Sequence, residues 1–138
     1  MWWHRSVVGL PGVWLAHMMF QEPVWQFSQT VRSGGPQWLA EVVATFGLVL
    51  TILATLKARE SAVAMAVGLY ITAAYWFTAS TSFANPAVTI ARGFSDTFAG
   101  IRPGDVPWFV VAQLAGAILA WAFCRLQLDP QEQKVNLV

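Results

Sequence analysis

The stretch Trp38–Leu56, WLAEVVATFGLVLTILATL, holds nineteen residues and one charge, Glu41. As an α-helix rising 1.5 Å per residue it measures about 30 Å, the thickness of a bilayer's hydrocarbon core. Ser33-Gly34-Gly35-Pro36 interrupts the chain just before it, and the polar run Lys57-Ala58-Arg59-Glu60 closes it. Composition agrees: 57% of the chain is hydrophobic and 11% charged, where a soluble domain carries about a quarter of its residues as charges. A water-soluble globule is excluded, and the chain reads as an all-α integral membrane protein with 38–56 as its first full span.

Two further spans are expected. Residues 62–79 are rich in Ala, Gly and Thr and end in Tyr75-Trp76-Phe77; small residues let a backbone approach neighbouring helices closely. Residues 106–124 open on Pro107-Trp108, close at Arg125 and carry Gln113 and Gly116 on adjacent turns. The N-terminal stretch 6–20 is too short for a crossing, is interrupted by Gly9, Pro11 and Gly12, and carries His17, so it reads as a partial helix. A signal peptide competes for this segment, but no small-x-small cleavage site follows and Trp2, Trp3 and Trp14 are bulky.

Charge placement orients the spans. Arg5, Lys57, Arg59, Arg125 and Lys134 on one side outnumber Arg32, Arg92 and Arg102 on the other, so both termini are expected in the cytoplasm of a cell (plasma or inner) membrane protein. The polar tail from Gln127 to Val138 is expected to fray. A net charge of +1 gives no footprint for nucleic acid. Cys124, the single cysteine, forms no intrachain disulfide, and no acid/base pair, nucleophile with a base, phosphate loop or metal-ligand spacing appears, so neither an enzyme nor a cofactor is expected. His17 reads as a hydrogen-bonded core histidine and His4 as exposed.

Between the second and third spans, residues 80–100 are too polar for lipid and too apolar for water, as in a loop that re-enters the protein interior. Asn85-Pro86-Ala87 is its centre. Asn is a preferred N-cap and Pro a preferred first helical residue, so a half-helix should start at Pro86 and end between Phe94 and Asp96. With its oxygen on a backbone N–H, the Asn85 side chain keeps its NH2 to donate elsewhere. A half-helix beginning at membrane depth also turns its positive dipole end on the cavity, against protons and cations.

The run SFANPAVTIAR, followed by DTFAG and VAQLAGA and preceded by AEVVATFG (Ala40–Gly47), resembles the aquaporin and glycerol-facilitator family, the major intrinsic proteins. Four motifs in order, from about Gly12 to Arg125, carry the likeness. It implies six spanning helices and two half-helices, built as two inverted repeats that meet through two NPA motifs. This chain has one NPA motif and no internal repeat, and GVWLAHMMF with EPVWQFS is similar to the end of the family's third helix and the loop after it. The resemblance therefore implies a single truncated domain over 1–138, the second half of the pore.

On that likeness Asn85, Pro86 and Ala87 form the pore motif. Many family members place arginine after NPA, where Val88 stands here, and the other filter positions in this half fall on Ala73 and Ser82. Such small residues imply a wider, less polar constriction. Arg92 is a further candidate for the missing cation, with an ordinary i, i+4 ion pair to Asp96 as its plainer reading. Glu41 is implied to orient loop amides, against the alternative that it snorkels to the interface; Gln113 is implied to bond the loop across the bundle. The expected function is passive diffusion of water and small uncharged solutes such as glycerol, with lipid and the solute as partners and a homo-oligomer or a complementary half completing the pore. The alternative is a non-conducting fragment that associates with full-length relatives.

Overall fold

The computed structural model describes residues 3–128, with side chains over 9–127. Five helices, α1 Trp3–Met19, α2 Gly35–Ala58, α3 Val63–Phe77, α4 Pro86–Arg92 and α5 Val106–Leu128, are joined by loops and by short 3₁₀ turns at Glu60–Ala62 and Pro103–Asp105. No strand occurs among the described residues. The side chains of His4 and Arg5, and most of the tail expected to fray, lie outside the described residues.

Sequence punctuation explains the boundaries. Gly34 precedes α2 at φ 106°, a left-handed conformation open to glycine, and Pro36 sits in the first turn where a missing N–H leaves no bond unmade. The helix stops where Arg59 turns extended. α3 ends at Thr78, whose hydroxyl and N–H both donate to the Ala74 carbonyl, at 2.7 and 3.1 Å. The interruption expected in the N-terminal segment is not seen. α1 runs unbroken through Pro11 and Gly12 and begins at Trp3, three residues earlier than expected. Pro11 is exposed, so its ring points away from the packed face, where Gly9 lies against Ala91 of α4.

α2 and α5 form the main helix pair. Gly116 permits their approach: a Cβ there would run into the Val42 carbonyl and the Phe46 amide of α2. Trp38 meets Trp108 near one end of the pair, at 5.6 Å between ring centroids, and Phe46 meets Phe123 at 5.9 Å further along. α3 is fixed to α2 by Tyr70, whose hydroxyl donates to the Ala44 carbonyl at 2.9 Å over Gly47, where a Cβ would strike the Tyr70 ring. A small apolar centre of Phe83, Ile101 and Phe109, flanked by Trp38 and Val106, underlies the loops at one end.

Two segments, Gly35–Ala58 and Pro103–Gln127, are long and apolar enough to cross a bilayer, with mean hydropathy of 2.1 and 1.8. Only 17% and 33% of these windows are buried within the chain, so most of their apolar surface requires lipid or another helix. α3 differs from the expected 62–79 span: its regular helix has 15 residues, about 22 Å at 1.5 Å per residue.

Candidate functional site

The loop leading to Asn85 has an unusual backbone. Thr81, Ser82 and Ala84 have φ of 63°, 47° and 48°, a left-handed region that costs a non-glycine residue about 1–3 kcal/mol. Such a path persists only where its surroundings over-determine it. Here the surrounding group is Glu41, fully buried on the second turn of α2. Its Oε1 accepts the Ser80 hydroxyl at 2.6 Å and the Phe83 N–H at 2.9 Å. Its Oε2 accepts the Ala84 N–H at 3.0 Å and the Gln113 amide at 2.7 Å. The carboxylate thus faces inward to the loop rather than out to the interface.

Asn85 then starts α4 as its N-cap. Extended at φ −158°, it accepts the Ala87 N–H on Oδ1 at 2.8 Å, and Pro86 follows at the first helical position. Nδ2 is left without a partner among the described residues. The Asn85 carbonyl receives both the N–H and the hydroxyl of Thr89, each at 2.9 Å, and Gln113 donates to that same hydroxyl oxygen at 2.8 Å. A continuous polar chain therefore runs from the strained loop through Glu41, Gln113 and Thr89 back to Asn85.

α4 and α1 enclose a groove of about 650 Å³. Asn85, Ala87, Val88 and Arg92 line it from α4, and Val13 and His17 from α1. Of the sequence-derived filter positions, Val88 faces this groove; Ala73 is exposed on α3, and Ser82 is buried with its hydroxyl unpartnered. His17 is buried, as expected of a core histidine. Its Nδ1–H donates to the Val24 carbonyl at 3.2 Å, which leaves Nε2 to accept from the Gln26 amide at 3.2 Å and the Ser95 hydroxyl at 3.1 Å. No group of His, Cys, Asp or Glu able to hold a metal occurs among the described residues.

The ion pair expected between Arg92 and Asp96 does not form. α4 ends at Arg92, so the helical i, i+4 spacing never extends to residue 96. Asp96 instead accepts the Gln29 N–H at 2.7 Å. The Arg92 guanidinium turns back to the Thr81 hydroxyl at 3.3 Å and stacks 4.3 Å over the Phe83 ring, with Tyr75 at 5.9 Å.

Sequence reasoning missed Arg32, counting it only as a loop charge. It is 6% exposed. Its guanidinium donates to the carbonyls of Gly100 at 2.6 Å, Phe98 at 2.7 Å and Ser80 at 3.0 Å, and its own N–H donates to Asp105 at 2.9 Å. It thereby clamps the segment after α1 to both loops flanking α4. Burial lowers its pKa from the ordinary arginine value, opposed by the negative charge of the Glu41 carboxylate. Asp105 also pairs with Arg102 at 3.0 Å. The one signal in the sequence was a lone arginine in the loop that follows α1.

Two helices long and apolar enough to cross a bilayer, with a short Asn-capped helix whose entry loop is held by a buried carboxylate, are the features of a membrane protein. Residues 57–137 match the family model described as Major intrinsic protein, and the chain belongs to that family. It is similar to aquaglyceroporin AqpS of Rhizobium meliloti (strain 1021), with 60% identity over 121 residues, 88% of this chain and 52% of the relative. The chain thus spans about half the length of that curated relative. No solved structure matches it.

Proposed function

We propose that the chain forms one repeat of a passive membrane channel for water and small uncharged solutes such as glycerol. The observation that carries this reading is Asn85. Its oxygen is committed to the helix cap and its carbonyl to Thr89, while its amide N–H groups remain available beside the groove. A donor fixed in this way, between an apolar Val88 and a helix wall of Gly and Ala, orients a passing oxygen without trapping it. The name of the similar aquaglyceroporin points the same way.

Among the described residues the groove has walls from α1, α4 and the loops that follow them, so a second copy or a complementary half supplies the facing wall. The exposed apolar surface of α2 and α5 supports the same requirement. We place the chain in a plasma or inner membrane with both termini cytoplasmic, by the bias of Lys and Arg. The test is swelling of proteoliposomes under water and glycerol gradients. The wild type should swell above empty vesicles and Asn85→Asp more slowly; background rates for both would leave the non-conducting reading.

A further inference from the structure

α1 ends in a left-handed turn that sets two titratable residues side by side. Gln21 has φ 58°, its N–H donates to the Met18 carbonyl at 3.4 Å, and the Glu22 N–H reaches back to the His17 carbonyl at 2.8 Å. This pair of bonds closes a helix through a left-handed residue, and the residue just past that turn commonly packs on the one whose carbonyl it bonds. The contact is usually apolar. Here the two residues are Glu22 and His17, and both line the groove.

The His17 ring ties two loops together at this end of the groove. Nε2 receives the Gln26 amide and the Ser95 hydroxyl, and Ser95 shares a further hydrogen bond with the Thr97 hydroxyl at 3.1 Å. With Nδ1–H on the Val24 carbonyl, these bonds need Nε2 as an acceptor and so a neutral ring. A proton on Nε2 makes it a donor. The Ser95 hydroxyl can rotate to accept that proton, whereas the Gln26 amide nitrogen cannot and must turn over or leave. The rest of the segment after α1 is held without the ring. The Ser28 N–H donates to the Gly93 carbonyl at 3.0 Å, the Thr30 hydroxyl to the Thr97 carbonyl at 3.1 Å, and Phe27 lies 5.3 Å from Phe94. Protonation therefore acts on the few residues nearest the turn.

We infer that His17 is a proton-operated latch at the groove mouth, closing the passage on acidification by drawing the Glu22 carboxylate across it, a role that rests on the channel reading above. The charges around the ring set the direction. Glu22 is exposed and is the one carboxylate among the described residues that line the groove. From the loop after α4, Asp96 is taken by the Gln29 N–H. α4 offers Arg92, a like charge whose guanidinium lies on Thr81 and Phe83. No charge stands between Glu22 and Arg32, and the Arg32 guanidinium is spent on three carbonyls. A cationic ring buried in the groove wall requires a counter-ion, and Glu22 is the group placed to supply it. Its carboxylate, drawn inward, narrows the end of the groove lined by Phe20, Ser95 and Thr97.

The test is glycerol swelling of proteoliposomes holding the full chain, with equal pH on both sides, taken from about pH 8 to about pH 5, the interval in which an imidazole changes charge. Rates are read above empty vesicles, each variant as the ratio of its own two end values. Wild-type swelling should fall about fivefold, the scale of an ion pair at a half-open site, and recover when the pH is restored. Glu22→Gln should lose the fall, and so should His17→Gln. A wild-type rate that is flat or rises toward acid overturns the inference alone, as does a full wild-type fall kept by either variant. Background swelling of the wild type at every pH removes the channel reading and this inference with it. If His17→Gln does not fold, as judged by gel filtration in detergent, the exposed substitution Glu22→Gln decides.

Discussion

The knot around Glu41 and the groove beside α4 share Asn85, yet they treat polar groups in opposite ways. In the knot, Glu41 receives four hydrogen bonds and both N–H groups of Gln113 are spent. In the groove, the amide of Asn85 and most of the Arg92 guanidinium are unspent. A buried polar group left without a partner is expensive; the knot satisfies its carboxylate and the Gln113 N–H groups within the chain, while the Gln113 Oε1 and the Ser82 hydroxyl are buried there without a partner. The groove is where it is open to something else. Strain does not follow the same division: Thr81, Ser82 and Ala84 belong to the loop that the knot holds, while Gln21, at φ 58°, sits between Phe20 and Glu22 of the groove lining.

Substitutions can break or sharpen this division. Glu41→Ala should have the largest effect, stranding the Ser80, Phe83, Ala84 and Gln113 donors around a strained loop. We expect roughly 3–5 kcal/mol of lost stability, read by chemical denaturation in detergent, with swelling at background. Arg32→Met should follow at about 3 kcal/mol, since it removes donors from three carbonyls at once. Asn85→Ala belongs to the groove. It should lower stability by only about 1 kcal/mol, the usual worth of an N-cap, and slow glycerol swelling about fivefold. If Asn85→Ala destabilises as much as Glu41→Ala, knot and groove are one unit. Tyr70→Phe should be the smallest, about 1 kcal/mol for the bond to Ala44, with permeability unchanged. A change in solute permeability there would show that α3 reports to the groove.

How much of this was legible in the sequence depended on the range of the interaction. The cap at Asn85-Pro86 and the span around Glu41 are local, written in neighbouring residues, and the chain folds there as those residues require. Motif likeness brought Gln113 into the reading across 72 residues. Arg32 had no such help, because its partners lie 48 to 73 positions away and are mostly backbone carbonyls, which no side-chain pattern announces. The Arg92–Asp96 pair failed for a local reason: helical spacing was extended past the point where Gly93 ends α4. The left-handed turns at Thr81, Ser82 and Ala84 were invisible because none of these residues favours that conformation; it is imposed by a carboxylate some forty residues earlier.

The order of synthesis gives the Glu41 carboxylate a waiting time. Its partners emerge 39, 42, 43 and 72 residues after it. At roughly 5–20 residues per second the last of them, Gln113, leaves the ribosome about 4–14 s after Glu41 has been made. During that interval α2 holds a carboxyl group whose acceptor sites are empty, and the strained loop has nothing to enforce it. Membrane insertion of α2 and closure of the knot are therefore separate events, and the second cannot precede the arrival of α5.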